Sequence, residues 1–329
     1  MKTWMKCAAA ALAAAALIGM AGCGGSGEKA APAGGKTKIA VVQLMQHGSL
    51  DAANKGFIDA LAENGYGPDK IEVDQQNAQG DQSNLKSITA RFKSADPALI
   101  CAIGTPAAQS VANEITKTPI VGIAITDYVQ AKLVKSDDAP GTNVTGASDK
   151  NPVSAPIDLA MKLLPDAKTA GLLYCSSEMN SEVQANEMKA YAESRGLAVE
   201  TRTISSVNDI QQAAESLVGS VDFLYIPTDN VIASSVPTLT KVTDAAKIPV
   251  FAAYEQAAKE GALAAVSVDY YRLGKQAGAM AAKILKGEAK PEAMPIETQK
   301  DLIVVINQKS AEALGITIPE DVARTAQLQ

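Results

Sequence analysis

The chain has 329 residues, a net charge of −6 and only 4% aromatic residues. An acidic balance with no basic cluster excludes a nucleic-acid partner, and a single histidine with four scattered cysteines leaves no metal-ligand constellation. The length exceeds what one hydrophobic core fills, so two domains are expected.

The first 22 residues read as an export signal. Lys2 and Lys6 precede the alanine-rich run Cys7–Gly22, which is shorter than the roughly 20 apolar residues a membrane span needs. Met20-Ala21-Gly22-Cys23 resembles a lipobox, so Cys23 is expected to be acylated and to hold the mature chain to the membrane on the periplasmic side of the cell envelope. An ordinary secretory signal is the alternative. Residues 23–36, rich in Gly, Ala, Ser and Pro, read as a flexible tether. Cys101 and Cys175 sit in apolar strand patterns of different halves, so two buried free thiols are expected rather than a disulfide.

From Lys38 the chain alternates strand and helix. Strands are predicted at Lys38–Leu44, Lys70–Asp74, Ala98–Ile103 and Pro119–Ile125, with helices between them. Ser49 is read as the cap of the first helix, and Thr105 caps a later one with Pro106 in its first position. Lys135–Asn151 lacks periodicity and reads as a crossover. The alternation resumes with strands at Thr169–Cys175, Ala198–Ile204, Val221–Pro227, Pro249–Ala253, Leu263–Val268 and Leu302–Ile306, and with helices at Ser181–Arg195, Asn208–Val218, Ile232–Ala246 and Tyr271–Leu285. Such alternation implies parallel sheets covered on both faces. The two halves echo one another, as strand, Gly104-Thr105-Pro106, helix against strand, Pro227-Thr228-Asp229, helix. The expected architecture is α/β, two Rossmann-like lobes: residues 37–147 plus about 270–300, and 148–269 plus about 301–329.

In such sheets, ligands bind at the C-terminal strand ends. Those ends carry Met45, Gln46 and His47; Thr105, Pro106 and Ala107; Thr126, Asp127 and Tyr128; Ser177, Glu178, Asn180 and Ser181; Thr228, Asp229 and Asn230; Tyr254; and Asp269. Hydroxyls, amides, tyrosines and acids dominate, without Arg or Lys. No nucleophile–base pair, P-loop or G-x-G-x-x-G is present, so no catalytic residue and no cofactor are expected: the chain holds a ligand rather than transforming it. Acids suit an ammonium and bare helix starts suit a carboxylate, which together suit a zwitterion. Each residue also has a plainer role open to it: Thr105 and Asp229 as helix caps, Asp269 as a hinge support, Met45 as core filler.

His47-x-Ser49-Leu50-Asp51, Thr105-Pro106-Ala107-Ala108-Gln109, Thr126-Asp127, Gly141-x-Asn143-Val144-Thr145-Gly146-x-Ser148-Asp149, Ser176-Ser177-Glu178-x-Asn180-Ser181 and Asp229-Asn230 resemble the ABC-transporter substrate-binding proteins of type I periplasmic-binding fold that handle aromatic amino acids. The resemblance spans Lys38 to about Pro319. It implies lobes joined by three crossovers that close over one amino acid, with an ABC permease and its ATPase as partners. It places Thr105 and Ser177–Ser181 near the ligand carboxylate and Asp229 near its ammonium. The family often has Pro where this chain has Gly48 and Tyr128, which would set Tyr128 on the cleft rim. A ligand-sensing receptor domain of the same fold and a hydrolase using cleft acids are the rival readings.

Overall fold

The computed structural model describes residues 35–329; the expected signal, tether and acylated Cys23 lie outside the described residues, apart from the tether's last two positions. The first lobe is built from β1 (Thr37–Gln43), α1 (Gly48–Glu63), β2 (Ile71–Asn77), α2 (Gln82–Ala95), β3 (Leu99–Ile103), α3 (Thr105–Glu114), β4 (Ile120–Ile123) and β5 (Val144–Ser148). β3 is buried at all five positions, as expected of a central parallel strand covered by helices on both faces. β5 falls within the stretch read as an aperiodic crossover. Its residues Val-Thr-Gly-Ala-Ser are too small and mixed to give a strand signal, yet all five are buried.

The second lobe contains α4 (Ser154–Leu163), β6 (Thr169–Cys175), α5 (Met179–Ser194), β7 (Ala198–Ile204), α6 (Ile210–Glu215), β8 (Phe223–Ile226), α7 (Asn230–Ala233), α8 (Val236–Ala245), β9 (Val250–Ala252), α9 (Gln256–Lys259) and β10 (Ala264–Ser267). The single helix expected over Ile232–Ala246 is broken at Ser234–Ser235, where Ser235 precedes α8 and Pro237 occupies its first turn.

The chain then returns to the first lobe with α10 (Tyr270–Leu285) and β11 (Glu297–Thr298), and finishes in the second with β12 (Ile303–Ile306), α11 (Gln308–Leu314), α12 (Glu320–Ala323) and β13 (Gln327–Leu328). The first sheet has the order β11-β5-β4-β3-β1-β2 and is parallel throughout. The second runs β13-β12-β10-β9-β8-β6-β7, with only the β10–β12 pair antiparallel. The fold is therefore two α/β lobes linked by three crossovers, at residues 149–153, 268–269 and 299–302.

Those crossovers are tied down. Asn151 donates to the carbonyls of Ala253 (3.1 Å) and Val266 (2.8 Å), fixing the first to the second sheet. Gln299 exchanges hydrogen bonds with the backbone of Asp269, at 2.8 and 3.1 Å, joining the other two. α10 lies against α1 at glycine distance: a Cβ on Gly274 would stand 2.0 Å from the Ala53 carbonyl oxygen, and one on Gly278 2.6 Å from the Phe57 carbonyl oxygen. Cys101 and Cys175 are buried free thiols.

Candidate functional site

Strand ends from both sheets meet around a narrow cavity. The first lobe contributes His47, Ser49 and Leu50 at the start of α1, and Thr126 after β4. Asp149 comes from the first crossover, and Tyr270 opens α10 just after the second. The second lobe supplies Asn180 from the first turn of α5, Thr228, Asp229 and Asn230 after β8, then Ala233 and Tyr254. Two hydrogen bonds cross the cavity from lobe to lobe: Thr126 Oγ1 to Thr228 Oγ1 at 3.0 Å, and His47 Nε2 to Asn230 Oδ1 at 3.2 Å.

The second-lobe wall is organised around two buried acids. Glu178 Oε2 accepts from Asn180 Nδ2 (2.9 Å), Asn230 Nδ2 (2.7 Å) and the Asn230 backbone N–H (3.1 Å). Burial, with the Asp229 charge adding to it, pushes Glu178 up to about 7. Asp229 Oδ2 accepts from the Cys175 N–H at 2.6 Å, and its Oδ1 from the Ile232 N–H at 2.9 Å, which caps α7. Burial also raises Asp229.

This network fixes the tautomer of the only histidine. The Asn230 amide donates to Glu178, so its Oδ1 faces His47 as an acceptor. His47 Nε2 therefore carries the proton and Nδ1 is a bare acceptor. Desolvation holds His47 down to about 4, so the ring is neutral at pH 7.

Among the described residues, seven buried side-chain N or O atoms have no hydrogen-bond partner. Four of them, His47 Nδ1, Ser49 Oγ, Asn180 Oδ1 and Tyr254 OH, belong to residues that line this cavity, two from each lobe. Unmade bonds of this kind each cost about 1–3 kcal/mol, so their concentration marks a place for a polar ligand. No group of three or more His, Cys, Asp or Glu that could hold a metal occurs among the described residues.

Of the sequence-predicted residues, His47, Thr126, Asn180, Thr228, Asp229, Asn230 and Tyr254 line the cavity. Glu178 and Ser181 are buried behind that wall, Glu178 holding Asn180 and Asn230 from the rear. Thr105 does not cap α3: Gly104, at φ +96°, takes that position, and Thr105 starts the helix with its hydroxyl buried and unpartnered. Pro106 and Ala107 follow in the same first turn. Ser49 likewise lies inside α1, with His47 at the cap position.

The remaining predicted residues point elsewhere. Met45 packs half-buried on the core, and Gln46 is exposed. Asp127 accepts from Gln130 and pairs with Lys150 at 3.2 Å. Tyr128 is no rim residue: at 1% exposure it fills the first lobe's core, where a Cβ on Gly122 or Gly146 would meet its hydroxyl, and it donates to the Ala147 carbonyl. Ser177 is exposed beside Cys175, and Asp269 caps α10 through the Arg272 N–H. The sequence-based set lacks Ser49, Leu50, Asp149, Ala233 and Tyr270. Asp149 stands within the Gly141–Asp149 pattern without a local signal for facing the cleft, whereas Tyr270, in the strand-end stretch Asp269–Tyr271, reads either as an aromatic wall or as packing between lobe and hinge.

Residues 38–329 match the family model described as ABC transporter substrate binding protein. The chain belongs to that family. A tyrosine-binding protein of Clostridioides difficile is 41% identical over 279 residues, covering 84% of this chain and 81% of the relative. Two solved structures bear on conformation. An ABC domain in complex with L-Trp from Streptococcus pneumonia is 41% identical, with a TM-score of 0.87 over 89% of this chain and 99% of that one. A ligand-free, open structure of a substrate-binding protein from Clostridium difficile is 40% identical over the same shares, but its TM-score is 0.70. At near-equal identity the chain superposes better on the L-Trp complex than on the ligand-free, open structure, and two hydrogen bonds cross its cavity from lobe to lobe.

Proposed function

We propose that this substrate-binding protein is exported, is anchored through lipid on Cys23, and holds an amino acid with an aromatic side chain, which it hands unaltered to an ABC permease and its ATPase. The carrying observation is the set of four unpartnered buried atoms facing one interlobe cavity from both lobes. A zwitterion supplies donors and acceptors to these in one small volume, while Leu50, Ala233, Tyr254 and Tyr270 offer apolar and aromatic surface to a ring. The named ligands of the tyrosine-binding relative and of the L-Trp complex support the same class. The moving bodies are residues 37–147 with about 270–300, and 148–269 with about 301–329, swinging on the three crossovers so that the ligand shifts an open–closed equilibrium.

Calorimetric titration with the twenty amino acids tests the ligand class: heat with L-tryptophan, L-tyrosine or L-phenylalanine is expected, and heat only with a sugar or nucleoside overturns it. Labelled-palmitate incorporation lost in Cys23→Ala tests the anchor, and ligand uptake in a strain lacking the cognate permease tests delivery.

A further inference from the structure

The cavity's acids differ in how much hydrogen-bonding capacity remains to them. Asp229, the acid that the family resemblance assigns to a ligand ammonium, is committed: backbone N–H groups of Cys175 and Ile232 take one oxygen each, and the Ser181 hydroxyl and the Val231 N–H also act on it. Glu178 is not on the wall, and its Oε2 holds three donors. Asp127 is paired with Lys150 outside the cavity, and Asp269 caps a helix.

Asp149 differs from all four. It is 3% exposed and lines the cavity. Each of its oxygens takes one side-chain hydroxyl: Thr126 Oγ1 donates to Oδ1 and the Tyr270 hydroxyl to Oδ2, both at 3.0 Å. Its own backbone N–H also acts on it; a carboxylate has about four acceptor sites, so these three donors leave about one open, whereas four act on Asp229. No ion pair to Asp149 occurs among the described residues, although its neighbour Lys150 pairs with both Asp127 and Glu187. A buried carboxylate without a cation is costly unless something supplies one. The unpartnered Ser49, Asn180, Tyr254 and His47 atoms facing the same cavity are an independent sign that a ligand completes this site.

We infer that Asp149, not Asp229, takes the ligand's ammonium. This rests on the amino-acid reading above. Asp149 stands on the first crossover, held by Thr126 of the first lobe and by Tyr270 at the second crossover, while Thr126 touches Thr228 of the second lobe. An ammonium there sits where both lobes and the hinge meet, so its charge acts on closure itself.

The test compares L-tryptophan and L-tyrosine with indole-3-propionate, which lacks only tryptophan's ammonium group, on the full chain and on Asp149→Asn and Asp229→Asn. The unaltered protein is expected to prefer the amino acid by about 100-fold or more. Asp149→Asn should lose most of that preference by weakening amino-acid binding while sparing indole-3-propionate. Equal weakening of both ligands by Asp149→Asn, or charge-selective weakening by Asp229→Asn alone, overturns the assignment. If the unaltered protein binds none of the three ligands, the amino-acid reading itself falls, a separate failure. Should Asp149→Asn not fold, the unaltered protein still decides: the carboxyl carbon-13 resonance of Asp149 should move more on L-tryptophan addition than that of Asp229, and the reverse order refutes the inference.

Discussion

Replacing Asp229 by Asn separates a ligand contact from a structural one. The carboxylate is 1% exposed and receives backbone N–H groups at both oxygens, from Cys175 at 2.6 Å and Ile232 at 2.9 Å. An amide of the same shape has one acceptor oxygen, so one of those N–H groups would face an NH2 and be left buried without a partner. That loss is worth about 1–3 kcal/mol, and the retained bond also falls from charge-assisted to neutral strength. Relief of a buried charge offsets part, since burial raises the Asp229 pKa. The net is a destabilisation of about 2 kcal/mol, near the value for losing a strong helix cap, and a fall in Tm of roughly 5 °C. Urea denaturation of the unliganded protein, followed by far-ultraviolet circular dichroism, measures it. Asp229→Asn that melts like the unaltered chain while losing amino-acid affinity would refute the reasoning and restore Asp229 as the ammonium's partner.

Three further outcomes are expected. Gly274→Ala should destabilise the first lobe by about 3 kcal/mol in the same urea assay despite the higher helix propensity of alanine, because its Cβ would stand 2.0 Å from the Ala53 carbonyl oxygen and force α1 and α10 apart. Lys150→Met removes the charge that pairs with Asp127 at 3.2 Å and with Glu187 of α5 at 3.0 Å; with these groups partly exposed, ligand affinity should fall only about threefold and become less salt-dependent. His47, held down to about 4, contributes stability that is present above about 6.5 and lost as pH falls through 4, whereas Glu178, raised to about 7, contributes stability present below about 4.5 and lost as pH rises through 7. The two slopes oppose each other, so urea melts between pH 4 and 7.5 should show His47→Gln more stable in acid relative to the unaltered chain, and Glu178→Gln more stable relative to it at the alkaline end; the opposite order would contradict the buried positions of both groups.

The order of strands and helices was readable because each central strand is a run of apolar residues broken by Gly, Pro or Thr, and that pattern follows from burial on both faces. β5 escaped because its burial is achieved with Thr145, Gly146, Ala147 and Ser148, where neither bulk nor alternation betrays a strand. α4 left no clear signal either, as it follows directly on that unread strand and carries Pro156 in its first turn. In the site, residue type was legible and side-chain direction was not. Tyr128 reads like any strand-end tyrosine, but Gly122 and Gly146 leave a slot that its ring fills from inside the lobe. Asp229 and Asp149 are equal as letters. Only the surrounding donors tell them apart: backbone amides of Cys175 and Ile232 hold Asp229, and the Thr126 and Tyr270 hydroxyls hold Asp149.

That difference bears on how closure is tied to occupancy. The lobes are joined directly across the cavity by two hydrogen bonds, Thr126–Thr228 and His47–Asn230, worth about 0.5–1.5 kcal/mol each. Against them stand four buried atoms without partners and a buried Asp149 without a cation, penalties that together exceed those two bonds. On the proposed reading, a zwitterion that meets the unpaired groups would favour the closed form. A ligand shifts such an equilibrium only by its differential affinity for the two forms, and the unpartnered atoms come from both lobes, His47 and Ser49 on one side and Asn180 and Tyr254 on the other. Filling these positions with side chains that satisfy one another would give a more stable closed protein, and one whose shape no longer reports whether a ligand is bound.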